Sequence, residues 1–394
     1  MKEDQNIFPM SSPDLGEAER EAVLEVLKTP NLSMGPRILQ FEEAICSFSV
    51  SRNAIGVNSG TSGLHLCVRA AGIKTGDYVI TTPFSFVAST NVLLFENAIP
   101  IFIDVEPRTG NIDVDMLRSA VRDLEDGGNK SQKWEPRKGG STNGRLKAIL
   151  PIDVFGQPAD LDPINEVANQ YGLKVIEDSC EALGAEYKGR KAGSIGDYGV
   201  FAFYPNKQIT TGEGGVIITN DDQAAEFMRS LRNQGRAVGD TWLQHTHLGY
   251  NYRMDEMSAA LGVVQLSRIE ELLTKRDKVA AWYTERLAEI QGIETQFIDP
   301  NTTRMSWFVY VIRFKPGINR DQIAIDLKEQ GVPARPYFVP IHLQPYMVDQ
   351  FGYQIGDFPI TEDIGNRSLA IPFSSIMTES QVDNICQIIH SSFK

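Results

Sequence analysis

Gly199–Thr219 reads GVFAFYPNKQITTGEGGVIIT, and the fold turns on these residues. Two short apolar runs, VFAFY and GVIIT, have the length and composition of buried strands. Between them a turn carries one lysine, Lys207, followed by the glycine-rich GEGG. A lysine offered by a turn between core strands sits where desolvation favours the neutral amine. A Schiff-base nucleophile needs such an amine. The plain alternative is a surface loop holding one of 38 Lys and Arg residues.

Upstream, LKVIEDS (173–179) reads as a strand ending in Asp178, preceded by a helix in LDPINEVANQYG (161–172). LKAILPIDVFGQPADL (146–161), IPIFIDVEP (99–107) and DYVITTPFSFVAST (77–90) each open as a strand. AIGVNSGTSGLHLCVRAAGI (54–73) reads strand, turn, helix. Its small polar turn, Asn58 to Gly63, allows close approach of an anion to the first helical N–H groups. An ordinary helix cap is the other reading. Strands and helices alternating at this pitch predict βα units on a mostly parallel sheet covered on both faces. In such sheets ligands collect beyond the carboxyl ends of the strands. Gly60 to Ser62, Phe86, Asp153, Asp178 and Lys207 are all expected near that edge.

At the start, SSPDLGEAEREAVLEVL predicts a helix over 11–27, and RILQFEEAICSF a second over 37–48. The segment 254–290 supports one long helix or two consecutive ones. MSWFVYVIRF (305–314) then predicts a strand, NRDQIAIDLKEQG (319–331) a helix, VPARPYFVP (332–340) an extended stretch, and ESQVDNICQIIHSSF (379–393) a closing helix. We expect a large domain over 1–265 with an N-terminal arm, and a smaller α+β domain over 266–394. The Gly-, Lys- and Ser-rich stretch between Leu124 and Arg145 reads as an exposed insertion, either a surface loop or a lid.

A chain of 394 residues is too long for one ordinary core, which agrees with that division. A net charge of −13 argues against nucleic acid as a partner, though not against a small anion held by local donors. Cys46, Cys67, Cys180 and Cys386 are scattered without a CxxC pair, so neither a zinc site nor a disulfide framework is expected. Reduced thiols and the absence of an apolar leader or membrane-length run lead us to expect a cytoplasmic protein.

A carboxylate at the end of a buried strand is costly unless it meets a cation or a strong donor. A protonated pyridine nitrogen would serve Asp178 in that way. Lys207 supplies an amine for an aldehyde, the Gly60–Ser62 turn donors for a phosphate, and Phe86 an apolar face for a planar ring. Together these describe a pyridoxal 5'-phosphate site, in which the cofactor carries the hard chemistry. Singly, Asp178 reads as a cap, Phe86 as core and Gly60 as a turn former.

NSGTSGLHL, TTPFSFVAS, FIDVEP, FGQPADLDPI, VIEDSCEALGA, YKGRKAGSIGDYGVFAFYPNKQITTGEGG, LGYNYRM and RPYFVPIHLQPY together cover most of the chain. On these stretches it resembles the nucleotide-sugar (DegT-type) aminotransferases of the fold-type-I pyridoxal phosphate enzymes. The resemblance implies an aspartate-aminotransferase-like α/β large domain and a ping-pong reaction through pyridoxamine phosphate. The donor would be an amino acid, with glutamate expected, and the acceptor a keto group on a nucleotide-linked sugar. It also implies that Lys207 binds the cofactor and shuttles a proton, that Asp178 pairs with the ring nitrogen, and that Glu181 sits near the phenolic oxygen. Gly60, Thr61 and Ser62 would hold the phosphate and Phe86 would stack on the ring. Asn251 would reach the phosphate of a second copy's cofactor, making a homodimer with shared sites. Arg253 and His342 are implied as substrate contacts, each with a structural alternative: an ion-pair partner and a satisfied loop residue.

Three positions depart from the family pattern. Glu181 stands where many relatives carry Gln, Ala202 where a phosphate-binding serine is common, and Asp153 where a histidine is often found. Sugar 3-dehydratases of this fold replace the lysine with histidine, so Lys207 favours transamination. Rival readings are a dehydratase or other sugar-modifying reaction, a keto-cyclitol acceptor, a cofactor-binding regulator without turnover, and a nicotinamide-dependent reductase. The last lacks a GxGxxG opening a helix after the first strand.

Overall fold

The computed structural model describes residues 8–141, 144–237 and 244–393. Its centre is a seven-stranded sheet in the order β1-β9-β8-β5-β4-β2-β3. These strands are β1 Asn53–Val57, β2 Tyr78–Thr81, β3 Ile99–Phe102, β4 Leu146–Ile149, β5 Lys174–Asp178, β8 Tyr198–Ala202 and β9 Gly215–Thr219. Parallel pairing runs from β3 through β2, β4 and β5 to β8, whereas β9 is antiparallel to both β8 and β1. The strands are almost wholly buried and rich in Val and Ile, as a sheet covered on both faces requires. β5 and β8 are in register at Asp178 and Val200, so Asp178 and the Lys207 turn leave the sheet at the same edge.

The C-terminal part has its own antiparallel sheet of β10 Ile293–Glu294, β12 Tyr310–Phe314 and β13 Ser368–Ile371. Helices Ile269–Leu287 and Glu379–Ser391 close it, with Tyr283, Tyr310, Leu369, Ile385 and Ile389 buried in one cluster. The two parts interlock. β11 Thr302–Arg304 pairs with the small hairpin of β6 Glu186–Tyr187 and β7 Arg190–Lys191. Ile341, Met347 and Phe351 enter a cluster with Ile101 and Leu117, while Phe8 joins the C-terminal cluster. Contacts thus cross the expected 265/266 boundary in both directions.

Two local expectations change, and two open alternatives are decided. The first helix spans Glu17–Leu27 rather than starting at Ser11, because Phe8–Leu15 is held out along other elements. Met10 O accepts from Phe373 N, and the Asp14 carboxylate pairs with Arg268 and Lys275. Residues 254–290 take the second of their two expected forms, consecutive helices Glu256–Ser267 and Ile269–Leu287 that meet at Arg268. The strand expected from Met305 begins only at Tyr310, since the Ser306 N–H is spent on Gly156 O at 3.0 Å and its hydroxyl on Leu183 O.

The 125–145 insertion, expected as a surface loop or a lid, is a surface segment that is tied down. A 3₁₀ turn covers Gly128–Lys133, Trp134 Nε1 donates to Asp123, and Arg137 grips Asp357 with two nitrogens. Its described residues do not line the cavity below, and 142–143 lie outside the described residues. No helix among the described residues is long and apolar enough to cross a membrane.

Candidate active site

Beyond the carboxyl ends of β5 and β8 lies a cavity of about 450 Å³, a usual size for a small-molecule site. Lys207, Asp178, Glu181, Thr61 and Phe86 all line it. Alternation along β5 decides which acid reaches it. Asp178 points into the cavity while Glu177, one residue earlier, is wholly buried on the other face. Asp178 Oδ2 accepts from the Ser89 hydroxyl at 2.6 Å and Oδ1 from Cys180 N at 3.2 Å.

Lys207 is held by its backbone. Its N–H donates to Tyr204 O at 2.9 Å, and its carbonyl accepts from Arg276 at 2.6 Å. The buried Arg276 guanidinium also donates to Trp307 O and Phe308 O, so it staples the lysine turn to the chain opposite. Burial lowers the Arg276 pKa to about 10. The Lys207 ammonium lies 3.8 Å from the centre of the Phe308 ring and 3.8 Å from Glu181 Oε1. Burial lifts the Glu181 carboxyl to about 7, against the opposing pull of Lys207 and of the Phe155 N–H, which donates to Oε2 at 2.9 Å.

Helix Gly60–Ala70 begins at the cavity with Ser59 as its cap. A β-carbon at Gly60 would come within 2.8 Å of Ala202 Cβ and 2.9 Å of Cys180 Sγ, and one at Gly215 within 2.7 Å of Gly60 N. Glycine at these two positions lets the helix start press against the ends of β5, β8 and β9. The first helical N–H groups, at Gly60 and Thr61, have no partner within a helix and face the cavity with the dipole's positive end. Ser62 differs from expectation. Its N–H donates to Ser59 Oγ and its hydroxyl to Asn58 Oδ1 at 2.6 Å, so it serves the cap and does not line the cavity.

The remaining expected residues do not line the cavity, although Asp153 lies at the expected edge, its N–H donating to Asp178 O at 3.1 Å. Asp153 is buried and fully bonded, accepting from Ala159 N and the Ser179 hydroxyl; burial raises its carboxyl well above the usual range. Asn251 is exposed and absent from the cavity of its own chain. Arg253 bonds Asn233 Oδ1 at 3.0 Å, and His342 is wholly buried on Glu362 at 3.0 Å. Neither lines the cavity. Sequence reasoning missed the aromatic wall of Phe308, Tyr337 and Phe338, backed by Phe155 stacked on Phe338 at 5.3 Å. It also missed Ser89 and Arg276. Only the RPYFVP stretch carried a signal, through its two adjacent aromatics.

An amine, a buried carboxylate and a helix start converging on an apolar-walled cavity fit the aldehyde, ring nitrogen and phosphate of pyridoxal phosphate. With the mostly parallel sheet behind them, they define a pyridoxal-phosphate-dependent aminotransferase of fold type I. The model of the DegT/DnrJ/EryC1/StrS aminotransferase family matches residues 13–390, and the chain belongs to that family.

GDP-perosamine synthase of Caulobacter vibrioides is 37% identical over 95% of each chain. Spore coat polysaccharide biosynthesis protein SpsC of Bacillus subtilis is 33% identical, covering 99% of this chain and 98% of its own. Among solved structures, Helicobacter pylori PseC, an aminotransferase of pseudoaminic acid biosynthesis, superposes with a TM-score of 0.87 at 29% identity, over 98% of this chain and 99% of its own.

Proposed function

We propose that this chain moves an amino group from an amino acid, glutamate in the first instance, to a keto group on a nucleotide-linked hexose. The observation that carries the proposal is the Lys207 amine beside Glu181, in a cavity shared with Asp178 and the Gly60 helix start. A sugar acceptor is supported by the near-complete alignment with GDP-perosamine synthase. The bound cofactor supplies an electrophilic carbon and a ring that takes up the electron pair released at the donor's Cα.

The chain's own residues do the rest. Lys207 Nζ attaches the cofactor and, once released, carries the proton between carbon centres. Asp178, already fixed by Ser89, holds the proton on the ring nitrogen. Glu181 retains its proton up to about neutral pH and donates it toward the ring's oxygen. Gly60 and Thr61 hold the phosphate, and the Phe308, Tyr337 and Phe338 wall excludes water.

Asn251 is read as a ligand to the phosphate of a second copy, so the working unit is a homodimer. Phe95 and Leu248 support this: they are large apolar side chains left more than half exposed beside the Tyr250 segment. Arg253 and His342 are read as supports of the surrounding loops, and the cell compartment as cytoplasmic.

The test is glutamate-dependent amination of a panel of nucleotide 4-keto and 3-keto hexoses, with products read by mass spectrometry. We expect one member to be aminated, and Lys207→Ala to lose ~10³-fold or more in rate together with the visible absorbance of the lysine-bound cofactor. Absorbance unchanged in that variant overturns the Lys207 assignment. Cofactor present but no panel member aminated overturns the acceptor class.

A further inference from the structure

A second, half-buried polar cluster, apart from the cavity, surrounds the Tyr250–Asn251–Tyr252 segment. His65, on the helix that carries Gly60 and Thr61, has Nε2 2.8 Å from Glu96 and Nδ1 3.0 Å from the Tyr252 hydroxyl. Arg69, one turn on, donates to the Tyr250 hydroxyl at 2.6 Å and to Glu96 at 3.4 Å. The Tyr250 hydroxyl in turn donates to Glu96 at 3.1 Å. Burial lowers the His65 pKa, which favours the neutral ring. One assignment then satisfies every group: Tyr252 O–H to Nδ1, and Nε2–H, Arg69 and Tyr250 to Glu96.

The geometry has a consequence for Asn251. Tyr250 and Tyr252 stack with their rings 4.8 Å apart and 9° from parallel, so both face inward. Alternation along an extended segment then turns Asn251 outward, where it is exposed. The backbone is pinned on both sides: Tyr250 N to Leu231 O at 2.7 Å, Tyr252 N to Arg232 O, and Asn58 N to Tyr252 O at 2.9 Å. Asn58 is also the residue whose side chain accepts from Ser62 in the cap of the phosphate helix.

We infer that Glu96, gripped by His65 and Arg69, is a positioning residue that locks Tyr250 and Tyr252 inward and thereby presents the Asn251 carboxamide to a second copy's cofactor phosphate. This rests on the role of Asn251 proposed above. The Tyr250 hydroxyl is anchored on Glu96 directly and the Tyr252 hydroxyl through His65, which Glu96 holds, so the two rings together restrain rotation of Asn251 about the segment axis. Glu96 itself touches neither cofactor nor substrate.

The test is a double-mutant cycle on the affinity of the cofactor-free, full-length dimer for pyridoxal phosphate, titrated without sugar or amino donor. We expect Asn251→Ala to raise Kd about tenfold and Glu96→Ala severalfold, with the dimer intact by gel filtration. If Glu96 acts through Asn251, the double variant binds no more weakly than Asn251→Ala alone. Should Glu96→Ala not fold, Tyr252→Phe, which removes only the hydroxyl on His65, takes its place in the cycle. Independent, multiplying effects overturn the inference and leave the Asn251 assignment standing. An unchanged Kd in Asn251→Ala overturns both.

Discussion

Glu181 shows how one residue's surroundings set its chemistry. It is among the least exposed acids of the cavity, and its pKa is pushed from 4.5 to about 7. Between those values the folded chain binds more proton at this site than the unfolded chain does. Stability from Glu181 is therefore greatest below its unfolded pKa and declines as pH rises toward and past 7. Glu181→Gln removes that titration while keeping an acceptor for the Phe155 N–H. In thermal unfolding of the cofactor-free chain, the variant should gain on wild type from pH 5 to pH 8, reaching on the order of 2–3 kcal/mol. Parallel curves would show that the carboxyl titrates as it does in water. The residue itself was legible beforehand from VIEDSCEALGA, but its raised pKa was not, because burial depends on what closes over it.

At the scale of elements, β5 is the informative strand, because adjacent acids serve opposite faces. Glu177 accepts from Gly193 N at 2.8 Å, Ile195 N at 2.7 Å and Gly196 N, and so ties down the loop that feeds β8. Burial raises its pKa to about 7 even so. Glu177→Gln leaves one acceptor oxygen where two served three donors. We expect a loss of about 2 kcal/mol in urea unfolding, with cofactor affinity nearly kept because Asp178 is untouched. An unchanged midpoint would mean that those donors find water. The paired acids were visible in the sequence, and strand alternation alone assigns them to opposite faces. Ser89 and Arg276, which fix Asp178 and Lys207, gave no such sign. They arrive from helices 89 and 69 residues away in the chain.

For the whole molecule, the decisive matter is whether one copy completes the site of another. Lys207→Ala, inactive alone, and Asn251→Ala, assayed at a pyridoxal phosphate concentration that leaves it mostly empty, should together gain about a quarter of wild-type activity when mixed and re-equilibrated, since half the dimers are hybrids with one intact site of two. No recovery, with hybrids demonstrated by mass, would place Asn251 within its own chain's site. The interlocked domains bear on this as well. The 332–343 segment leaves the C-terminal sheet, gives Tyr337 and Phe338 to the cavity, and docks Ile341 N on Pro83 O at 2.8 Å beside the Phe86 turn. Domain division by composition cannot anticipate such a crossing.

By itself the sequence determined the βα alternation, the turn that holds Lys207, the acid at the end of β5 and the glycines at the start of the Gly60–Ala70 helix. All of these depend on local rules: strand period, helix capping and the absence of a side chain where backbones meet. Only the tertiary structure decided that Ser62 is spent on its own cap, that Asp153 is satisfied in the interior and His342 buried on Glu362, and that Phe308, Tyr337 and Phe338 wall the cavity. Those outcomes depend on which distant group arrives within about 3–4 Å of a side chain. The order of residues along one segment does not contain that distance.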